Sequence, residues 1–169
     1  MSSGNDPLAI YLHDHLAGAK HAIELVKAMR EEFKGKPLGT FAASILTEIK
    51  ADRDTLERLA ERVGSGTSQV KEIAAWLSEK VARLKMGPDT KDSLGTFEAL
   101  EFLELGIHGK WALWRVLAAI APGDTRLQGT DFQELSARAE SQRSAVDQLR
   151  LEWARMTFEN NEKSKSAGK

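Results

Sequence analysis

Residues 93–121, SLGTFEALEFLELGIHGKWALWRVLAAIA, form the most apolar stretch of the chain and contain no proline. Apolar side chains recur at intervals of three and four residues, the period of a helix rather than of a strand. One uninterrupted helix of this length would be about 40 Å long. It is apolar on nearly every side, so it is expected to be the most buried helix of the protein. Glu101, Glu104, His108, Lys110 and Arg115 interrupt the run. Those are too many charges for lipid, and the segment predicts a core helix rather than a membrane span.

Outward from this segment the punctuation stays helical. The prolines, at 7, 37, 88 and 122, all fall at proposed helix boundaries, where proline is tolerated. Asp6-Pro7 reads as an N-cap and first helical residue. A first helix is expected over about Asp6–Lys34, with Leu12, Leu16, Ala19, Ile23, Val26 and Phe33 inward. A second is expected over Pro37–Val63, with Ile45, Ile49, Leu56 and Leu59 inward, stopped by Gly64-Ser65-Gly66. A shorter third, about Ser68–Met86, carries Val70, Ile73, Leu77, Val81 and Leu84. The quoted segment is the fourth. The fifth starts near Asp131, which has capping-box spacing to Glu134. Its stripe is Phe132, Leu135, Ala139, Val146, Leu149, Trp153 and Met156. Residues 1–159 are expected to form one domain, and the polar residues 160–169 a disordered tail.

The 169 residues suffice for one domain with a real core. Lys plus Arg is 24 and Asp plus Glu is 25, with the signs interleaved. No basic stripe suited to phosphate neutralisation stands out, so nucleic acid is not an expected partner. The chain has no cysteine, which excludes disulfides, zinc-thiolate sites and thiol nucleophiles. Met1–Pro7 is short and polar and does not read as a signal peptide. The expectation is a soluble, cytoplasmic protein that makes no use of a membrane and associates with itself or with a protein partner. Gly-x-Ser-x-Gly and the dinucleotide fingerprint do not occur, and Gly64-Ser65-Gly66-Thr67 lacks the Lys-Ser/Thr of a phosphate loop.

Four long helices plus one shorter helix between the second and fourth predict two antiparallel hairpins joined by a crossover. In this order of elements the chain resembles the ferritin-like superfamily, a four-helix bundle with one long crossover connection. The segments Asp14-His15-Leu16-Ala17-Gly18 and Gly109-Lys110-Trp111-Ala112-Leu113-Trp114-Arg115 are also similar to an uncharacterised group of bacterial ferritin-like proteins. That second likeness brings no activity with it.

Helical wheels then show polar groups on the apolar faces. His15 falls among Leu8, Leu12, Ala19 and Ala22. Asp52 stands between Ile49 and Leu56, with Glu48 at the edge of the same face. Glu104, His108 and Arg115 align with Phe97 and Trp111, with Glu101 beside them. Gln142 lies between Ala139 and Val146. Acids and imidazoles in a core need partners, and two functions follow. One is a non-catalytic bundle with a buried hydrogen-bonded layer, an association or structural role and no expected cofactor. In that layer Asp52 would pair with His108 or Arg115, and Glu104 with His15 or Gln142. The other is a metal-carboxylate site for iron or manganese, with His15, Asp52, Glu104 and His108 as candidate ligands and Glu48, Glu101 and Gln142 nearby. The resemblance implies a di-metal centre built from two Glu-x-x-His pairs and two further Glu. This chain has no Glu-x-x-His, and its fifth helix offers only Gln142. An acid-base enzyme using Glu104 and His108 is a third reading.

Smaller signals read as structure. The two histidines of His13-Asp14-His15 point to nearly opposite sides of a helix and cannot share an ion. Gly106 and Gly109 are expected to allow close helix approach, against Ala17-Gly18-Ala19. Trp76, Trp111, Trp114 and Trp153 are expected in the core.

Overall fold

A computed structural model describes residues 6–64 and 93–166, with side chains through residue 159. The described residues are all-helical. Helix α1 spans Pro7–Glu32, α2 Pro37–Val63, α3 Ser93–Ile120 and α4 Phe132–Ser166. The expected helix over 68–86, and Trp76 with it, lies outside the described residues.

The hairpins form as expected, because their connections are too short for anything but antiparallel neighbours. Helix α1 packs on α2, and α3 on α4. The first turn needs a glycine: Gly35 has φ of 78°, a conformation that costs other residues roughly 1–2 kcal/mol. At the start of α2, Gly39 presses against the backbone of the preceding turn. A Cβ built there would lie 2.0 Å from the carbonyl oxygen of Phe33.

Caps and charges set the other ends. Asp6 accepts a hydrogen bond from the Leu8 amide at 2.9 Å and so caps α1. The carboxylate of Asp131 accepts from the amides of Gln133 and Glu134, each at 3.0 Å, and so caps α4. Arg126, in the turn between α3 and α4, donates to Asp6 and to Asp124 at 2.6 Å each. Its guanidinium holds both carboxyls below their usual range. It also reaches the carbonyl of Val63 at 3.5 Å, while Arg62 donates to the carbonyl of Gln128 at 3.1 Å. The start of α1, the end of α2 and the α3–α4 turn therefore share one end of the bundle. The start of α3 lies at the other, where Phe97 meets Phe158 edge-on at 5.3 Å and Phe33 meets Trp153 at 5.6 Å. Gly64 and Ser93 are thus at opposite ends.

One continuous core joins all four helices, including Leu12, Met29, Ile49, Leu59, Leu103, Leu117 and Val146. Burying each such side chain contributes about 1.5–3 kcal/mol before chain entropy is charged against it. The periodicity of α2 predicts its buried face well. That of α3 does not, since apolar residues occupy its outer side too. Leu94, Leu105 and Val116 are 42%, 60% and 44% exposed, and their spacing of three turns puts them in one line. The expected core position of Met156 is also overturned, for it is exposed and Thr157 is buried instead. Helix α4 runs on to Ser166, through part of the stretch expected to be a tail. No glycine or proline occurs there before Gly168 to stop it. Among the described residues no helix is long and apolar enough to cross a membrane.

The glycines give a paired test. Gly39→Ala forces backbone apart and should lower stability by about 2–4 kcal/mol. Gly106→Ala, where a Cβ would meet no atom of the described residues within 4 Å, should raise it by up to about 1 kcal/mol through helix propensity. Urea denaturation of both variants checks this. Equal effects would contradict the packing described at Gly39.

Candidate functional site

The polar residues of the core converge on Asp52. The spacing from Ile49 to Asp52 to Leu56 places this acid on the buried face of α2, and it is 1% exposed. Cations from two other helices reach it. From α3, Lys110 Nζ donates to Asp52 Oδ2 at 2.5 Å. From α4, Arg138 donates to Oδ1 through Nε at 2.9 Å and through its terminal nitrogen as well. Gln142, also buried, ties the group together. Its Oε1 accepts from Lys110, and its Nε2 donates to Glu48 Oε2 at 2.8 Å and to Asp52 Oδ2 at 3.4 Å.

The layer is electrically closed. Two carboxylates, Glu48 and Asp52, face two cations, Lys110 and Arg138. Asp52 accepts from both cations, while Glu48 is held by the neutral Gln142 amide and acts on Lys110 through space, and such pairing is what makes charges tolerable inside a protein. Burial pushes the Lys110 ammonium below the usual lysine range, and Asp52 opposes that shift.

The remaining candidates do not join this cluster. Glu104 accepts from Arg143 at 3.4 Å, and Glu101 from Arg150 at 3.3 Å. Both are pairs between α3 and α4. His108 is exposed, its ring stacked on Trp111 at 5.3 Å, and Arg115 covers the same indole at 4.7 Å. The inward placement of His108 and Arg115 is therefore corrected. On a helix that is apolar all round, the wheel identifies a line of residues but not which line faces the core. The expected partners change for the same reason. Asp52 pairs with Lys110 and Arg138 instead of His108 or Arg115, and Glu104 with Arg143 instead of His15 or Gln142. Among the described residues no three acids or histidines are grouped to hold one ion. The oxygens of Asp52, the most buried candidate ligand, are engaged by the two cations.

His15 lies elsewhere, on the wall of a cleft between α1, α2 and α3 of about 570 Å³. Gly18, Ala19 and Ala22 form the α1 side of this cleft, and Phe102, Leu105, Gly106 and Gly109 the α3 side. Ile49, Leu56 and Trp114 line it more deeply, and it reaches Asp52 and Lys110 of the polar layer. The glycines do face the small residues of α1, but not in contact. A Cβ at Gly18, Gly106 or Gly109 would meet no atom of the described residues within 4 Å. Absent side chains here leave space instead of drawing the helices together. The His15 ring meets Tyr11 edge-on at 4.7 Å. Burial pushes its pKa down, with Asp14 opposing.

Three residues of the site escape the wheel reading. Lys110 and Arg138 both carried a signal, since Ile107–Lys110–Trp114 and Leu135–Arg138–Gln142 have core spacing. The third, Trp114, is fully buried as expected, but nothing in its sequence context marks it as part of a cleft. Comparison of the chain with protein-family models, with curated proteins and with solved structures finds no match.

Removing Asp52 strands two cations. Asp52→Ala should cost about 3–5 kcal/mol, whereas Asp52→Leu combined with Lys110→Met should cost clearly less than the two single changes summed. Chemical denaturation of the full cycle measures the coupling, and simple additivity would contradict the ion pair. His15 gives a pH signature. An unfolded chain takes up a proton there near pH 6.5, while the folded chain resists until lower pH. Stability from the neutral ring is thus complete above about pH 6.5 and declines as pH falls toward the depressed folded pKa. His15→Gln should flatten the stability profile in that window. An unchanged slope would show that burial does not hold the ring neutral.

Proposed function

We propose that this protein is a non-catalytic, ferritin-like helical bundle that binds a small apolar molecule in the cleft between α1, α2 and α3. The ferritin-like reading is supported by the two antiparallel hairpins and by the opposite-end positions of Gly64 and Ser93. In that architecture one long crossover joins the two hairpins.

The observation that carries the binding role is the chemistry of the cleft wall. It is almost wholly apolar, its volume suits a small ligand, and the charges at its floor are already matched to one another. Asp52 and Lys110 hold each other, so neither is an uncommitted base, acid or nucleophile of the kind catalysis requires. The polar layer is read as structural. Linking α2, α3 and α4 through a single carboxylate sets their register, a use of buried polar groups attested in helical assemblies.

A leucine at Gly109 tests the role with little risk to the fold, since the site has room and leucine favours helix. Nile red, a neutral apolar dye, should bind the parent protein at one saturable site. Gly109→Leu should weaken that binding at least about tenfold, the worth of roughly 1.4 kcal/mol, with unchanged or higher thermal stability. Dye affinity that is the same in both proteins would place binding elsewhere and defeat the proposal.

A further inference from the structure

Helix α3 is apolar on nearly every side, and two of its sides are taken. One packs on α4, and another faces α1 and α2. The third still carries Leu94, Leu105, Val116 and Ile120, exposed by 42%, 60%, 44% and 39%. A helix that is hydrophobic all round is ordinarily covered all round, and large apolar side chains gathered on one surface mark an interaction site.

We infer that this face of α3 is an interface with a second copy of the chain, the two α3 helices lying antiparallel about a two-fold axis at Leu105. This interface does not depend on the cleft role proposed above.

The order of residues along the face argues for that occupant. A two-fold interface brings one patch against itself, so the patch has to complement its own reverse. Leu94 and Val116 stand eleven residues before and after Leu105. With a rise of about 1.5 Å and a turn of about 100° per residue, each lies about 16 Å from Leu105 and about 20° off its line. Reversal about Leu105 therefore seats Leu94 on Val116 of the second copy, and Leu105 on its own equivalent. The residues between obey the same symmetry. Glu98, seven before, meets Ala112, seven after. Glu101, four before, meets His108, three after. The Glu101 side chain is 46% exposed, and His108 is exposed as well. Glu101 accepts from Arg150 at 3.3 Å, and a carboxylate can accept a further donor, which the His108 ring of the second copy supplies. Apolar thus falls on apolar, and acid on imidazole. A parallel pairing would instead set Glu98 on Glu98 and Glu101 on Glu101, which like charges oppose.

Sedimentation equilibrium of the full chain, from about 1 µM to about 1 mM, should show a reversible dimer. Leu105→Glu places two carboxylates at the axis. It should raise the dissociation constant at least about tenfold, with helical content by circular dichroism unchanged, because the position is exposed. The chain has no cysteine, so single cysteines report the register. Leu105→Cys should form a disulfide-linked dimer under mild oxidation. Val116→Cys alone should not, since its two copies would be about 33 Å apart. An equal mixture of Leu94→Cys and Val116→Cys chains should give the mixed dimer. A chain that stays monomeric throughout the range, or a dimer that Leu105→Glu leaves as tight as the parent, would overturn the interface. Val116→Cys linking to itself as fast as Leu105→Cys would overturn the antiparallel register.

Discussion

Asp52 is held by Lys110 from one neighbouring helix and Arg138 from another, and much of the interior is arranged around that carboxylate. An acid that is 1% exposed is viable only while its partners stay in place. The partners lie on helices that are joined as well by Gln142, by packing contacts and by paired charges at their rims. Apolar packing is non-directional and tolerates sliding, whereas a carboxylate with a donor on each oxygen does not. The ion pairs therefore select one register of α2, α3 and α4 from the several that hydrophobic contact alone would permit.

The same constraint explains why the cleft can exist. Cores pack to the density of organic crystals, and space left inside them forfeits contacts. A cleft between α1 and α3 persists because other interactions hold the frame around it. Arg126 fastens the start of α1 to the α3–α4 turn. The Asp52 layer fastens α2 to α3 and α4. Among the described residues, glycine and alanine on the facing sides of α1 and α3 then leave room that larger residues would occupy.

Much of this was legible in the residues. The helix starts at Pro7, Pro37 and Phe132 follow from caps and prolines, and the inward positions of Asp52 and Gln142 follow from core spacing. His108 and Arg115 were misplaced because α3 lacks a single polar face, and its moment cannot say which line is buried. Lys110 and Arg138 stood at core spacing too. Long basic side chains are ordinarily expected to carry their charge out to water, so only the position of Asp52 in space marks them as inward.

The sequence by itself determined that this chain is helical, where its helices turn, and that acids would be buried among them, because caps, prolines and periodicity act locally. Which charge meets which was decided by the tertiary structure alone. Pairings between Asp52, Lys110 and Arg138 span 58 and 86 residues, and no local rule reaches that far. The cleft is likewise a property of three helices at once: a glycine draws two helices together or holds them apart according to what stands opposite it.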